Sequence, residues 1–198
     1  MSKQDIVIID YGAGNIKSLQ FAVERTGFRA VLSNDAKQIA SADKVLFPGV
    51  GAAGSAMKKL ENKNLVSVIR NLEQPVLGIC LGMQLLCRES EEDSSKGLGI
   101  IDQPIIEFKG DLKVPQIGWN QIGDLKGPLF EGIDEDAYMY FVHSFYAPKC
   151  SNSIAISKYG LDYSAALAEK NFYGVQFHPE KSSKNGGLIL SNFLNLKS

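Results

Sequence analysis

Three short runs without a polar side chain, at residues 6–9, 45–47 and 76–79, lead into glycine-bearing loops at 11–15, 48–51 and 78–82. A strand apolar on both sides has no face to offer water, so it belongs inside a sheet that is covered above and below. Helical spacing lies between the runs. Residues 16–26 place Ile16, Leu19, Ala22 and Val23 on one side before Gly27 closes the segment, and residues 60–72 repeat the period at Leu65, Val68, Ile69 and Leu72. The pattern predicts an α/β fold with a doubly wound, flavodoxin-like, mostly parallel sheet and helices on both faces. Sites in such folds lie outside the carboxyl ends of the strands. All three glycine loops fall there.

The second half changes character. Glycines and prolines punctuate residues 97–128, and β-like runs recur at 114–118, 139–142, 154–157, 165–168 and 172–177. These predict a mixed or antiparallel extension of the same sheet, closed by an amphipathic segment at 187–196. Residues 83–88 look helical, and the acidic, serine-rich stretch 88–96 reads as a solvated helix end and loop. With 198 residues, 44% of them hydrophobic, and no internal repeat or linker, one domain over residues 1–198 is expected. The formal net charge is −1 and the charges are interleaved, which argues against nucleic acid or a membrane surface as partner. Nothing resembles a signal peptide or a membrane span, so a cytoplasmic location is expected. Cys80, Cys87 and Cys150 are too scattered for a disulfide framework or a metal cluster, so reduced thiols and no metal are expected.

The run Gly-Ile-Cys-Leu-Gly at 78–82 sits between a strand-like and a helix-like segment. That order forces one side chain into a sharp turn with its reactive atom exposed, and the flanking glycines remove Cβ atoms that would strike the neighbouring elements. Cys80 is therefore a candidate nucleophile; the competing reading is a small buried side chain in a βα turn. Cys87 fits a core position of the following helix, and Cys150 a loop thiol.

A cysteine nucleophile needs a base and a group that orients it. In Gln-Phe-His-Pro-Glu at 176–180, an extended backbone would project His178 and Glu180 the same way, with Pro179 stiffening the pair. A surface turn with a salt-bridged glutamate would look the same. His143, in an aromatic strand end, has no carboxylate nearby and reads as a site-lining or core histidine. Acyl chemistry also needs donors for an oxyanion. The N–H of Leu81 can supply one; Pro-Gly-Val-Gly at 48–51 can supply the other through Val50, flanked by Gly49 and Gly51, although the same four residues also make an ordinary tight turn.

Taken together, Cys80 in PVLGICLGMQLL, His178 and Glu180 in YGVQFHPEKS, and LFPGVG at 46–51 resemble the class I glutamine amidotransferases. The resemblance runs from Ile6 to Phe193. It implies a Cys-His-Glu triad that hydrolyses the side-chain amide of glutamine, with no cofactor. Gln84, His143, Ser144 and Phe145 would then hold the amino-acid end of glutamine.

Three further segments, DYGAGNIKS at 10–18, VPQIGWN at 114–120 and FVHSFY at 141–146, are similar to the glutaminase subunits of imidazole glycerol phosphate synthase, a histidine-biosynthesis enzyme. That resemblance implies a heterodimer with a (β/α)8-barrel cyclase, which consumes the ammonia, and glutaminase turnover that rises when the cyclase binds its own substrate. Tyr11, Asn15, Trp119, Asn120 and Tyr140 are candidates for the partner face. Gln116 stands where the family usually has His, the Ala52-Ala53 pair lies where it usually has Phe, and Phe145 where Tyr is more usual. The rival readings are a glutaminase of another class I amidotransferase (anthranilate, aminodeoxychorismate, guanylate or pyridoxal phosphate synthesis), a non-catalytic subunit of the same fold, and a cysteine hydrolase on this scaffold.

Overall fold

The computed structural model describes residues 4–14 and 16–197. Its first half runs β1 (Ile6–Ile9), α1 (Ile16–Arg25), β2 (Ala30–Ser33), α2 (Ala36–Ala40), β3 (Lys44–Gly49), α3 (Ala53–Asn62), α4 (Leu65–Arg70), β4 (Val76–Cys80) and α5 (Leu81–Leu86). The second half runs β5 (Cys87–Ser90), β6 (Ser95–Lys96), β7 (Ile101–Glu107), β8 (Gln116–Ile122), β9 (Ala137–His143), β10 (Phe145–Pro148), β11 (Ser153–Tyr159), β12 (Leu161–Glu169), β13 (Phe172–Val175) and α6 (Ser183–Leu194).

Five parallel strands in the order β2-β1-β3-β4-β13 form the central part of the sheet. In β1 all four side chains are buried: Ile6 and Ile8 join the core on one face, Val7 and Ile9 the core on the other. The first core is closed by Leu19, Ala22 and Val23 of α1 and by Ile189, Leu190, Phe193 and Leu194 of α6. Burying each large side chain of that set contributes about 1.5–3 kcal/mol. The opposite core is closed by α2, α3, α4 and α5 through Ile39, Met57, Leu60, Leu65, Ile69 and Leu85. A layer on each face is what fully apolar strands demand.

Beyond β13 the sheet continues as β12, β10, β7, β5 and β6, with β11 paired to β12. Antiparallel pairings dominate this extension. The expectation of one extended sheet holds for these strands, whereas β8 and β9 form a separate antiparallel ribbon, joined to β11 by a bridge between Gly123 and Ile156.

Several expected boundaries shift for local reasons. The helical spacing over 60–72 is split into α3 and α4, because Asn64 adopts the left-handed conformation at φ 55° between them. The predicted helix at 83–88 ends at Leu86, and Cys87 opens β5 rather than lying on the helix. The acidic stretch 88–96 is mostly exposed, as expected, but it is not a helix end and loop: β5 and β6 form a hairpin around a 3-10 turn at Glu92–Ser94. Among the described residues, no helix is long and apolar enough to cross a membrane.

Candidate active site

β3, β4 and β13 are neighbours, and their carboxyl ends meet at one place. The parallel register pairs Gly49 with Cys80 on one side and Val175 with Ile79 on the other. Cys80 ends β4 and caps α5 with φ 54° and ψ −111°, a region that L residues avoid at about 1–3 kcal/mol. The glycines around it make that turn possible. A Cβ on Gly78 would stand 2.8 Å from backbone atoms of Gly82 and Met83, and one on Gly82 would stand 1.8 Å from the carbonyl oxygen of Phe47. Helix α5 therefore lies directly on β3 and β4.

The backbone leaves β13 still extended at His178, as expected for a residue before proline, and then tightens into a 3-10 turn at Pro179–Lys181. His178 and Glu180 do meet, but through this turn, not the extended backbone expected from the sequence. His178 Nδ1 donates to Glu180 Oε1 at 2.9 Å, and both side chains are nearly buried. The carboxylate thereby fixes the tautomer and leaves Nε2 for Cys80. Burial works to lower the His178 pKa, but hydrogen bonds and charge from Cys80 and Glu180 outweigh it and hold the imidazole up at about 10. The backbone N–H of His178 donates to the Tyr140 carbonyl at 2.9 Å, and Ser182 Oγ ties the carbonyl of His178 to the N–H of Tyr140.

A cleft of about 320 Å³ opens over the cysteine, lined by Val50, Gly51, Cys80, Leu81, Gln84, Glu92, Pro115, Val142, His143, Ser144, Phe145, His178 and Lys181. The volume suits a small polar molecule. A larger groove of about 710 Å³ lies by the opposite ends of β4 and β13, along Arg70 to Glu73 and Glu169 to Phe172, with no cysteine or histidine in its lining. The cleft gathers the expected triad cysteine and histidine, the oxyanion candidates Val50, Gly51 and Leu81, and all four substrate candidates. Gly49 lies just behind it: a Cβ there would strike Gly82 N, Tyr11 Oη and Leu81 Cβ.

Gln84 Nε2 donates to the Phe145 carbonyl at 3.0 Å and to Gln176 Oε1 at 2.9 Å. His143 Nδ1 donates to the same Phe145 carbonyl at 2.8 Å, which leaves Nε2 as a buried acceptor without a protein partner. Burial pushes the His143 pKa down to about 4, the Phe145 contact works upward, and the neighbouring His178 adds a further downward push. The ordinary imidazole value is 6.5, so between pH 6.5 and 4 the unfolded chain takes up a proton that the folded chain refuses. Stability is therefore lost as the pH falls through that window, by about 1.4 kcal/mol per unit. Urea unfolding of His143→Gln is expected to show a shallower loss than the parent from pH 7 to 4.5; equal slopes would mean that His143 is not neutral in the folded state.

Two residues of the site carry no signal of their own in the sequence. Glu92, at the tip of the β5–β6 hairpin, lines the cleft and accepts the N–H of Ala53 at 2.8 Å, so it caps α3 from a distance where Ala52 offers no side-chain cap. Burial raises its carboxyl. Gln176 is fully buried beside the sulfur, with Nε2 at 3.7 Å from Cys80 Sγ. Period-two alternation from His178 would have pointed to Gln176; only the pairing of β5 with β7 and the fold of the hairpin bring Glu92 in.

The partner-face candidates separate. Trp119 is half exposed and meets the Tyr140 ring edge-on at 5.9 Å, beneath Lys181 Nζ. Asn120, next along the strand, points to the other side of the ribbon, where its amide donates to the Lys158 carbonyl. Tyr11 is buried against Phe47, because its ring fills the space that glycine leaves at position 49. Asn15 lies outside the described residues. Gln116 is a core residue: opposite His143 in the ribbon, it accepts from Tyr163 Oη at 3.0 Å.

Comparison with known proteins shows the family. The family model for "Glutamine amidotransferase class-I" matches residues 7–196. The imidazole glycerol phosphate synthase subunit HisH of Bacteroides thetaiotaomicron is 50% identical over 194 residues, covering 96% of this chain and 99% of that protein. The corresponding HisH of Vibrio cholerae is 47% identical over 201 residues, covering 98% and 99%. Among solved structures, a protein from Thermoplasma acidophilum described as a GMP synthase subunit shares the fold at TM-score 0.77 and 18% identity, covering 98% of this chain and 94% of that one. With near-complete coverage by both the family model and these relatives, the chain belongs to the class-I glutamine amidotransferases, in the family of HisH subunits of imidazole glycerol phosphate synthase.

Proposed function

We propose that this chain, acting as one domain, hydrolyses glutamine to glutamate and ammonia through Cys80, His178 and Glu180, and delivers the ammonia to a separate (β/α)8-barrel cyclase in a heterodimer. The observation that carries the reading is the meeting of a strained Cys80 with the buried His178–Glu180 pair in one small cleft. His178 takes the thiol proton, and the thiolate attacks the amide carbon of glutamine. The tetrahedral oxyanion is held by the N–H groups of Leu81 and Val50, with Gly49 and Gly51 giving that loop its freedom. His178 returns its proton to the leaving nitrogen as ammonia departs. Water, deprotonated by the same histidine, then attacks the thioester and releases glutamate with the thiolate restored. No metal or cofactor takes part.

Gln84, His143, Ser144 and Phe145 hold the amino-acid end. Both amide hydrogens of Gln84 are engaged with Phe145 and Gln176, so it offers substrate an acceptor. The partner docks on the exposed side of the β8–β9 ribbon, where Ile117, Trp119 and Tyr138 form an apolar surface beside Tyr140. Because the Tyr140 carbonyl holds the backbone of His178, pressure on that ribbon bears on the triad. A Gly49–Val50 peptide that presents its donor only in a minor state, favoured once the cyclase has bound its substrate, would couple the two reactions.

Glutamate release by the purified chain is expected to be slow alone, and faster when the cyclase partner of a HisH relative and the cyclase substrate are both added. Full turnover by the isolated chain would overturn the coupling. Absence of glutamate in every mixture would overturn the glutaminase reading itself.

A further inference from the structure

We propose that Gln176 is a fourth member of the nucleophile's machinery: its side-chain amide donates to the Cys80 sulfur and, through its other end, accepts from Gln84. The nucleophile and the substrate-holding residue are then the two ends of one hydrogen-bonded chain. This rests on the glutaminase reading above and adds to it a residue outside the triad.

The direction of that chain follows from its one unambiguous group. The Phe145 carbonyl can only accept, so the Gln84 atom 3.0 Å from it is the amide nitrogen. The same nitrogen lies 2.9 Å from the Gln176 side chain, which must therefore present its oxygen there. The Gln176 NH2 group is left facing Cys80 Sγ at 3.7 Å. Rotating the Gln176 amide would set two donors against each other, and rotating that of Gln84 would set its oxygen against two acceptors. Backbone geometry holds the arrangement in place. Val175 pairs with Ile79, so Gln176 stands level with Cys80 on the adjacent strand, and its own N–H donates to the Ala165 carbonyl at 2.8 Å. Gln176 and His178, two residues apart, both reach the sulfur.

The groups facing that sulfur define what Gln176 adds. His178, backed by Glu180, approaches from beyond β13, and the Tyr11 phenol from the loop after β1 feels the Cys80 charge. The Val142 carbonyl of β9, 3.7 Å away, can accept from a thiol but repels a thiolate. His143, also on β9, is near His178. Of these, His178 gives up its proton during the reaction. Gln176 is a neutral donor that keeps its protons throughout, so it supports the thiolate both before attack and when the thioester releases it.

The test is alkylation of Cys80 by iodoacetamide between pH 5 and 10, read on the Cys80 peptide so that Cys87 and Cys150 do not contribute, together with glutaminase assays in the presence of the cyclase. Gln176→Met keeps the size and loses both hydrogen bonds; its alkylation midpoint is expected to rise by about 0.5–1 pH unit, and kcat to fall about tenfold or more. Gln176→Glu still accepts from Gln84 but turns a carboxylate oxygen toward the sulfur, so its midpoint is expected to rise further. Midpoints within about 0.2 unit of the parent in the folded variants would overturn the proposal, since a merely structural residue would alter stability without moving this titration. Should Gln176→Met fail to fold, Gln176→Glu decides alone by the same criterion. An unreactive Cys80 and no glutaminase in the parent would instead defeat the underlying reading.

Discussion

Cys80→Ala is expected to reduce glutamate release by about 10⁴-fold or more, since a nucleophile acting with its base is lost as a unit. Removing a small sulfur whose contacts with Val142 O and Gln176 Nε2 are long, at 3.7 Å, and whose His178 partner stays tied to Glu180 should leave the fold intact. The backbone makes a second, separable statement. At φ 54° and ψ −111° any side chain is strained by about 1–3 kcal/mol, and glycine escapes that strain at an entropic cost of about 0.5–1 kcal/mol. Cys80→Gly is therefore expected to be as inactive as Cys80→Ala yet more stable by about 1 kcal/mol in urea unfolding. If the alanine variant hydrolyses glutamine at the parental rate, Cys80 is not the nucleophile. If alanine proves the more stable of the two, the strained turn does not exist in solution.

Such a turn is legible from sequence because its cause is local. The glycines of 78–82 and the apolar run before them state the strand, the sharp exit and the close approach of the helix within a few residues, and the same is true of Pro48 to Gly51 at the end of β3. His178 and Glu180 were legible as a pair, although the turn that joins them tightens after Pro179 in a way that alternation alone does not predict. What escaped depends on partners distant in sequence. β5 hides in a helix-like pattern because Cys87 is buried against β7, and Glu92 reads as a solvent-facing acid until the hairpin carries it to the N-terminus of α3. Tyr11 looks like a surface aromatic after a strand, but the absence of a side chain at Gly49 draws it inward. Gln176 carries no motif of its own; the register of β13 against β4 gives it the sulfur as a neighbour.

The largest expected effect on stability is at Gly82. An alanine there would place its Cβ 1.8 Å from the Phe47 carbonyl oxygen and 2.9 Å from the carbon of the same group. Phe47 lies in β3, which is hydrogen-bonded to β1 on one side and β4 on the other, so the obstructing atoms cannot withdraw. Relief must come from α5 lifting off the sheet, and that helix carries Leu81 and Gln84 as well as the buried Met83, Leu85 and Leu86. Gly82→Ala is accordingly expected to lose at least about 4 kcal/mol, at the far end of the range for single substitutions, and any folded remainder should lack glutaminase activity. Gly187 is the matched control: it is a helical glycine in α6 with nothing within 4 Å of a built Cβ and no left-handed φ. Gly187→Ala should gain about 0.5–1 kcal/mol from the reduced freedom of the unfolded chain. Urea unfolding of both variants checks the pair. A Gly82→Ala protein with parental stability would mean that α5 does not rest on β3, and the placement of Cys80, Leu81 and Gln84 around one cleft would fall with it.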